Sequence, residues 1–373
     1  MFGARGTGKT TYLSGAFSSK ICYSIDLLNT ETFAELQAHP NRLAAIIDKN
    51  QKEWILIDEI QKVPPLLDEV HRLIESSKQK FILTGSSARK LKRGASNMLA
   101  GRAFVYKLFP LTHLELESSF DLEEVLSFGS LPKIFSFTSS REKISFLRSY
   151  AETYLKEEIL IEQLIRNLPP FRRFLEIAAH QDTDVVSYSN IAKDILVDPK
   201  IVSNYYEILQ DTLLGLILEP YHTAIRKKQK KAPKFYWFDL GVRRVLAGTI
   251  DDRTKPKSYE YGSLFESFIV NEVYRLLTYS ERSFTLSFLR VDEKNEADLI
   301  LERKGLPTYV IEIKSTDRAH EGHASGIKAL SGNIRNSIPV LLSNDLHSKK
   351  INGVTCWHWK KGMEEMGIYS PPS

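Results

Sequence analysis

The chain has 373 residues, of which 42% are apolar and 26% charged, and its formal net charge is +5. This length predicts about two to four domains of a globular protein, and so small a charge permits a nucleic-acid partner without arguing for one. The cysteines, Cys22 and Cys356, exclude a disulfide framework. The apolar runs are too short to span a bilayer and no secretion signal opens the chain, so we expect a cytoplasmic protein without a membrane partner.

Residues 3–10 fit the phosphate-binding pattern G-x-x-x-x-G-K-[ST]. Its glycines let backbone N–H groups turn toward an anion, and a helix is expected to follow over residues 9–20 with its N-terminal dipole facing the phosphates. We expect Lys9 to reach the β- and γ-phosphates of ATP and Thr10 to bind Mg²⁺. The candidate nucleotide-binding residues of this loop are Gly3, Ala4, Arg5, Gly6, Thr7, Gly8, Lys9, Thr10 and Thr11.

A phosphate loop of this kind follows a central strand, yet only Met1 and Phe2 precede Gly3. Two residues are too few for a buried central strand. Without that strand, the backbone groups of the neighbouring strands would be left unpaired. We therefore expect the chain to be a truncated or misassigned version of a longer protein. An in-frame upstream segment encoding an aliphatic strand would support this, and an immediate stop codon would refute a misassigned start.

Trp54 to Ile57 are four apolar residues followed by Asp58 and Glu59. This pattern predicts a buried parallel strand with two acids at its C-terminal edge, where ligands bind in open α/β sheets. We expect Asp58 to hold Mg²⁺ through water and Glu59 to polarise the water that attacks ATP.

Further strands are predicted at residues 81–84 and 103–108. Polar groups at the tip of a neighbouring strand can sense the γ-phosphate, so Thr84 and Ser86 are candidates for this role. Arg102 is a candidate arginine finger, a residue that stabilises the charge of the transition state. A homo-oligomer is a further possibility that the sequence leaves undecided. The alternatives are that Thr84 only ends its strand and that Arg102 makes a surface salt bridge.

The middle of the chain reads as helical and then as a winged helix-turn-helix. Two short helices are expected at residues 189–195 and 199–213, and two strands at 214–219 and 234–238, joined by a basic turn. The second helix has one basic residue, Lys200, and no arginine, so any DNA contact is expected mostly with the phosphate backbone. A packing module between the flanking domains is the alternative.

The C-terminal third predicts a helix that carries Glu266, followed by three strands that carry Asp298, Glu312 and Lys314. Period-2 alternation puts Glu312 and Lys314 on one face, which Asp298 can join from the adjacent strand. Asp298 and Glu312 are then expected to hold Mg²⁺ or Mn²⁺, and Lys314 to position or activate water for attack on a phosphodiester. Glu266 is expected to orient a ligand or bind a second metal; an amphipathic hairpin with a solvated charged face is the alternative.

The segments GARGTGKTT, WILIDEIQKVP, FILTGSSA, LAGR and PLTHLEL resemble a large prokaryotic family of predicted ATPases of the AAA+ superfamily. Members of that family carry a C-terminal region of the PD-(D/E)xK restriction-endonuclease-like fold. The resemblance runs through nearly the whole chain. It implies a nucleotide site at Lys9, Thr10, Asp58, Glu59 and Arg102, and a C-terminal site at Glu266, Arg290, Asp298, Glu312 and Lys314.

We therefore predict an α/β protein with four parts: an AAA+-type P-loop ATPase domain (1–118), a helical lid or connector (119–168), a winged helix-turn-helix (169–250) and a restriction-endonuclease-like domain (251–373). The expected function is that of an ATPase, with ATP and Mg²⁺ as cofactors, whose nucleotide state controls a DNA-associated winged-helix and nuclease-like domain. The alternatives are a nucleotide-gated regulatory or binding module with no nuclease turnover, and a DNA-binding regulator.

Overall fold

The protein forms two compact units in a computed structural model, one of Met1–Pro110 with Leu209–Leu214 and the other of Leu111–Ile208 with Gly215–Ser373. The structure describes residues 1–86, 103–154, 168–221, 232–292 and 295–369. Arg102, the predicted basic turn at 226–231 and residues 155–167 lie outside the described residues. Within the described ranges, no helix has both the length and the apolar character needed to cross a bilayer.

The first unit contains a parallel sheet in the order β1-β2-β3, made of Cys22–Asp26, Trp54–Asp58 and Lys80–Leu83. The central strand β2 is apolar and buried along most of its length, as its sequence predicts. The helices of this unit are Lys9–Ala16, Thr30–Ala38, Arg42–Asn50 and Leu66–Ser77. Thr30–Ala38 and Arg42–Asn50 are separate helices, because Pro40 lies between them.

Residues 1–3 lie beside the segment that follows β3. The N–H of Phe2 donates to the carbonyl of Tyr106 (2.8 Å), the N–H of Leu108 donates to the carbonyl of Phe2 (2.7 Å), and the N–H of Gly85 donates to the carbonyl of Met1 (3.3 Å). The strand predicted over 103–108 is wrong, since only Lys107 makes an isolated bridge there, with Phe2.

The second unit is built on an eight-stranded mixed sheet in the order β10-β11-β9-β8-β7-β6-β4-β5. The pairs β8–β9, β9–β11 and β4–β6 are parallel, and the others are antiparallel. Its strands are β4 (Gly215–Pro220), β5 (Lys234–Trp237), β6 (Thr285–Arg290), β7 (Glu296–Glu302), β8 (Thr308–Lys314), β9 (Ser337–Ser343), β10 (Lys349–Ile351) and β11 (Val354–His358).

One long helix, Tyr259–Tyr279, supplies much of the core of this unit. The hydroxyl of Ser258 caps its start by accepting from the N–H of Tyr261 (3.1 Å). Its apolar side chains pack with those of β7, β8 and β9. The other helices from His113 onward are His113–Leu116, Leu122–Phe128, Ser140–Ser149, Leu168–His180, Tyr188–Ile195, Pro199–Asp211, Leu240–Leu246, Glu321–Ser331 and Trp359–Glu365.

The two helices predicted for a helix-turn-helix are present as Tyr188–Ile195 and Pro199–Asp211, and the strands that follow them are β4 and β5. However, β4 pairs with β6, so this hairpin belongs to the same sheet as the C-terminal strands. The winged helix and the four domain boundaries therefore stay predictions.

Candidate functional site

The phosphate loop encloses the side chain of Lys9. Gly8 has a left-handed backbone (φ 91°) and precedes the helix Lys9–Ala16. The Lys9 ammonium donates to the carbonyls of Gly3 (2.7 Å) and Ala4 (3.3 Å), and only 6% of the residue is exposed. A Cβ on Gly3 would lie 2.4 Å from the carbonyl oxygen of Leu108, so this position accepts only glycine. The loop therefore holds a lysine and closely packed backbone in one place, and the contact of Lys9 with phosphates stays a prediction.

Asp58 connects the loop to the ends of two strands. It is the last residue of β2, and its Oδ2 accepts a hydrogen bond from the hydroxyl of Thr10 (3.1 Å). Its other carboxylate oxygen accepts a short hydrogen bond from the hydroxyl of Thr84, which is fully buried beyond the end of β3. The structure thus brings Thr10, Asp58 and Thr84 together. Thr84 contacts the acid directly, and its role as a γ-phosphate sensor stays a prediction.

Glu59 follows in a left-handed conformation (φ 59°), which is uncommon for a residue other than glycine and occurs at functional sites. Its carboxylate accepts a short hydrogen bond from the amide of Gln61, and the same amide nitrogen donates to the hydroxyl of Ser86 (3.1 Å). A Cβ on Gly85 would lie 2.4 Å from the amide oxygen of Gln61, so the amide is held closely. Gln61 therefore positions Glu59, a role that no sequence pattern predicts.

A cavity of about 360 Å³ in the second unit contains the predicted C-terminal site. Glu266 reaches it from the long helix, Asp298 from β7, and Glu312 and Lys314 from the end of β8. Its lining residues are Thr183, Asp184, Lys234, Tyr259, Gly262, Ser263, Glu266, Arg290, Glu296, Asp298, Glu312, Ile313, Lys314 and Ser315. The structure thus brings together Glu266, Arg290, Asp298, Glu312 and Lys314, which the sequence had singled out.

Asp298 and Glu312 face each other across two antiparallel strands, because the register that pairs Leu299 with Ile311 brings them opposite. Asp298 accepts from the N–H of Ile313 (2.7 Å), and the Lys314 ammonium lies 2.5 Å from one oxygen of Glu312. The other oxygen of Glu312 is buried and has no hydrogen-bond partner among the residues that the structure describes. Burial and the charge of Asp298 raise the pKa of Glu312 to about 8, although Lys314 partly offsets them.

Lys234 is a cation of this site that the sequence analysis missed. Its side chain is only 4% exposed, and its ammonium lies 3.2 Å from Glu266 and in close contact with Glu296. Burial lowers the pKa of Lys234, but the charges of Glu266, Asp298 and Glu296 outweigh burial and raise it overall. The only sequence signal is a lysine at the start of an otherwise aromatic strand, KFYW.

Glu266 is held by groups from β5 and does not lie free in the cavity. Its Oε1 accepts from the Tyr236 hydroxyl (2.8 Å) as well as from Lys234. Burial raises the pKa of Glu266 to about 7, with Lys234 opposing the shift. Within the described part of the chain, no three His, Cys, Asp or Glu side chains are grouped so that they could hold a metal ion. Glu266 as a ligand of a second metal stays a prediction.

The replacement Lys234→Met is expected to destabilise the second unit by about 3–5 kcal/mol, because it leaves the largely covered Glu266 and Glu296, whose side chains are 16% and 22% exposed, without this counter-charge. The loss should grow with pH. In the parent, Lys234 partly offsets the burial that raises the pKa of Glu266 to about 7, so removing Lys234 should raise this pKa further. The unfolded chain releases the same proton above about pH 4.5, so the stability lost on replacement should be small at low pH and should increase as the pH rises through about 7, where the parent's Glu266 ionises and the variant's does not.

The free energy of unfolding of the second unit can be measured by urea titration, with hydrogen exchange followed on peptides of β6 to β9. Arg148→Met is the matched control, since Arg148 makes an exposed ion pair with Asp251 in the same unit and should change stability by less than about 1 kcal/mol. The double variant Lys234→Met/Glu266→Gln should recover part of the loss. A loss no larger than that of the control would contradict the role assigned to Lys234.

Residues 1–117 match a family described as an AAA domain, which covers the phosphate loop with Asp58, Glu59 and Thr84. That family implies ATP as the ligand, with Mg²⁺. Residues 119–253 and 261–361 match two domains of unknown function, DUF8612 and DUF4143. The predicted lid, winged helix and nuclease-like fold are finer assignments than these matches give.

The similar curated proteins include an uncharacterized protein of Mycobacterium tuberculosis, 29% identical over 266 residues, which cover 70% of this chain and 58% of that protein. One of Haemophilus influenzae is 21% identical over 288 residues, covering 73% and 68%. One of Methanocaldococcus jannaschii is 23% identical over 267 residues, covering 64% and 60%. The chain spans less than two thirds of the length of the mycobacterial relative. It carries an AAA-type, ATPase-like domain at its N-terminus and a DUF4143 domain at its C-terminus.

Proposed function

We propose that the first unit binds ATP with Mg²⁺ and hydrolyses it to ADP and phosphate. The hydrogen-bonded set of Thr10, Asp58 and Thr84 beside the enclosed Lys9 is the observation that carries this proposal. Carboxylate and hydroxyl oxygens are the hard ligands that Mg²⁺ prefers, so Thr10 and Asp58 fit the metal and would hold it. Bound Mg²⁺ supplies charge neutralisation on the β- and γ-phosphate oxygens.

The remaining residues act on the phosphates and on water. Lys9 leaves the carbonyls of Gly3 and Ala4 and donates to the phosphate oxygens. Glu59, oriented by Gln61, accepts a proton from the attacking water. A bond forms between that water oxygen and the γ-phosphorus, the bond to the bridging oxygen breaks, and ADP leaves. Arg102 as an arginine finger stays a proposal.

Lys9→Ala is expected to weaken ATP binding by about 10- to 150-fold, since charge-assisted hydrogen bonds contribute about 1.5–3 kcal/mol. Titration of the full chain with a fluorescent ATP analogue and Mg²⁺ measures the affinity. Lys49→Ala, an exposed lysine of the helix Arg42–Asn50, is the control and should bind like the parent. Unchanged affinity in Lys9→Ala would reject nucleotide binding by this loop.

A second candidate function is hydrolysis of a phosphodiester in the cavity of the second unit. Asp298, Glu312 and Lys314 line one cavity, with one oxygen of Glu312 buried and unpartnered, and this favours the proposal. One or two carboxylates with water and substrate phosphate suffice for Mg²⁺, so Asp298 and Glu312 fit this metal or Mn²⁺ and would hold it. Such a metal supplies Lewis-acid polarisation of the phosphoryl oxygen, and Lys314 positions the water.

We further propose that the nucleotide state of the first unit controls this second activity on DNA, whose contacts with the chain are mostly with its backbone. One chain that carries both sites motivates the proposal. Control of DNA binding alone, without turnover at the cavity, is the alternative. A homo-oligomer stays a proposal.

A further inference from the structure

The size of the cavity restricts what it can hold. About 360 Å³ lies at the small end of the range of ligand sites, which is about 300–1,000 Å³. A site of this size accommodates about one nucleotide. Asp298 is only 6% exposed, so a phosphodiester reaches it through the cavity. In an intact duplex the bases are paired and stacked inside the helix, so a base can contact the lining only where its strand is unpaired.

The lining combines an exposed aromatic ring with a strongly polar interior. Tyr259, the first residue of the long helix, lines the cavity while 80% of it is exposed to solvent. Its hydroxyl makes only a long contact of 3.5 Å with Asp184. An exposed tyrosine beside a phosphate site provides a face on which a base can stack, an interaction that does not depend on the base sequence.

The charged side chains that line the cavity suit a phosphate group that binds together with a metal cation. Among the described residues, five carboxylates and three cations line the cavity, and the cations are Lys234, Arg290 and Lys314. Lys234 is already enclosed by Glu266 and Glu296, whereas the side chains of Arg290 and Lys314 are 37% and 42% exposed. Arg290 lies 3.7 Å from Glu296, a separation that leaves its guanidinium able to turn to a phosphate.

We infer that the cavity takes one unpaired nucleotide of a nucleic-acid strand, with its base stacked on Tyr259 and its phosphate beside Arg290 and Lys314. The inference rests on the proposed hydrolysis at the same cavity and names the substrate class of that reaction as single-stranded nucleic acid. The stacking face disfavours an intact duplex, whose bases are already paired and stacked on one another.

Two substitutions test the inference from opposite directions. Tyr259→Ala removes the stacking face and should weaken binding of a single strand by about 5- to 150-fold. Tyr259→Phe keeps the face and should bind like the parent. Gly262→Leu should fill the cavity, because a Cβ at Gly262 would meet only the Ser315 hydroxyl, at an ordinary 3.8 Å, and leucine favours a helix more than glycine does. Phe104→Ala removes an exposed aromatic of the first unit and is the control.

The measurement is fluorescence anisotropy of labelled oligothymidylate, oligouridylate and a blunt DNA duplex of equal length, with the full chain in Ca²⁺ at fixed salt. We expect a single strand to bind more tightly than the duplex, with the loss confined to Tyr259→Ala and Gly262→Leu; the two strands distinguish DNA from RNA. Equal binding of duplex and strands, or parent-like binding by both variants, would overturn the inference.

The outcomes also separate this inference from the proposed hydrolysis. Strand binding that depends on Tyr259, without cleavage in Mg²⁺ or Mn²⁺, would support the inference and reject turnover. Cleavage that depends on Asp298 but is the same for duplex and strand, and is unaffected by Tyr259→Ala, would support the hydrolysis and reject the inference.

Discussion

Glu59→Gln is expected to lower kcat for ATP hydrolysis by about 100- to 10,000-fold, the range that general-base catalysis contributes. Glutamine has the size of glutamate but cannot accept the proton of the attacking water. Its amide oxygen can still accept the hydrogen bond from Gln61, so the local geometry should persist. ATP affinity should stay at the parental value, because Lys9, Thr10 and Asp58 are unchanged.

Steady-state phosphate release and equilibrium ATP binding, measured on the same preparations, separate these two effects. Glu35→Gln is the matched control, since Glu35 makes an exposed ion pair with Arg42 (2.9 Å) in the same unit. A Glu59→Gln variant that hydrolyses ATP at the parental rate would show that another group activates water. Weaker binding with an unchanged rate would instead place Glu59 in nucleotide binding.

The first site was largely predictable because its signals are local. The phosphate loop is one short motif, and Asp58 and Glu59 follow an apolar strand whose burial the sequence predicts. Gln61 could not be predicted, because its role depends on Gly85 and Ser86 at the end of another strand. Gln61 is remote from that strand along the chain, so the sequence alone does not indicate that they are in contact.

The second site was predictable only in the part that depends on strand alternation. Asp298, Glu312 and Lys314 follow from period-2 patterning and the pairing of neighbouring strands. Lys234 was missed because its burial depends on Glu266 and Glu296, which come from later segments of the chain. A lysine in an apolar strand usually reaches solvent, and only the assembled sheet shows that this one does not.

The pairing of β4 with β6 could not be predicted from the sequence either. The pattern of a helix-turn-helix followed by two strands is typical of an independent winged helix. Here the sheet continues from β4 into β6, so the same pattern extends a larger sheet. Local propensity predicts each strand, whereas the second partner of β4 is decided by contacts between remote segments.

The metal binding that we propose for the cavity should depend on pH, because its carboxylates are largely covered. Because burial raises the pKa of Glu312 to about 8, a proton competes with a metal ion for this group at neutral pH. If the cavity hydrolyses phosphodiesters, the Mg²⁺ concentration for half-maximal cleavage should therefore fall as the pH rises toward about 8. The cleavage assay used for Asp298→Asn, repeated at several pH values and Mg²⁺ concentrations, measures this dependence.

Asp298→Asn is expected to lower the cleavage of a labelled strand by at least about 100-fold in Mg²⁺ or Mn²⁺, since a metal ligand supplies several kcal/mol of transition-state stabilisation and 100-fold corresponds to about 2.7 kcal/mol. Asparagine can still accept from the N–H of Ile313, so the strand pairing should survive. Asp317→Asn, an exposed neighbour that does not line the cavity, should cleave like the parent. Equal rates in Asp298→Asn and the parent would assign any cleavage to another site.

An absence of cleavage by the parent on strands and duplexes, with and without ATP, would favour a nucleotide-gated binding module. An intact set of carboxylates can bind a metal and phosphate without catalysing hydrolysis.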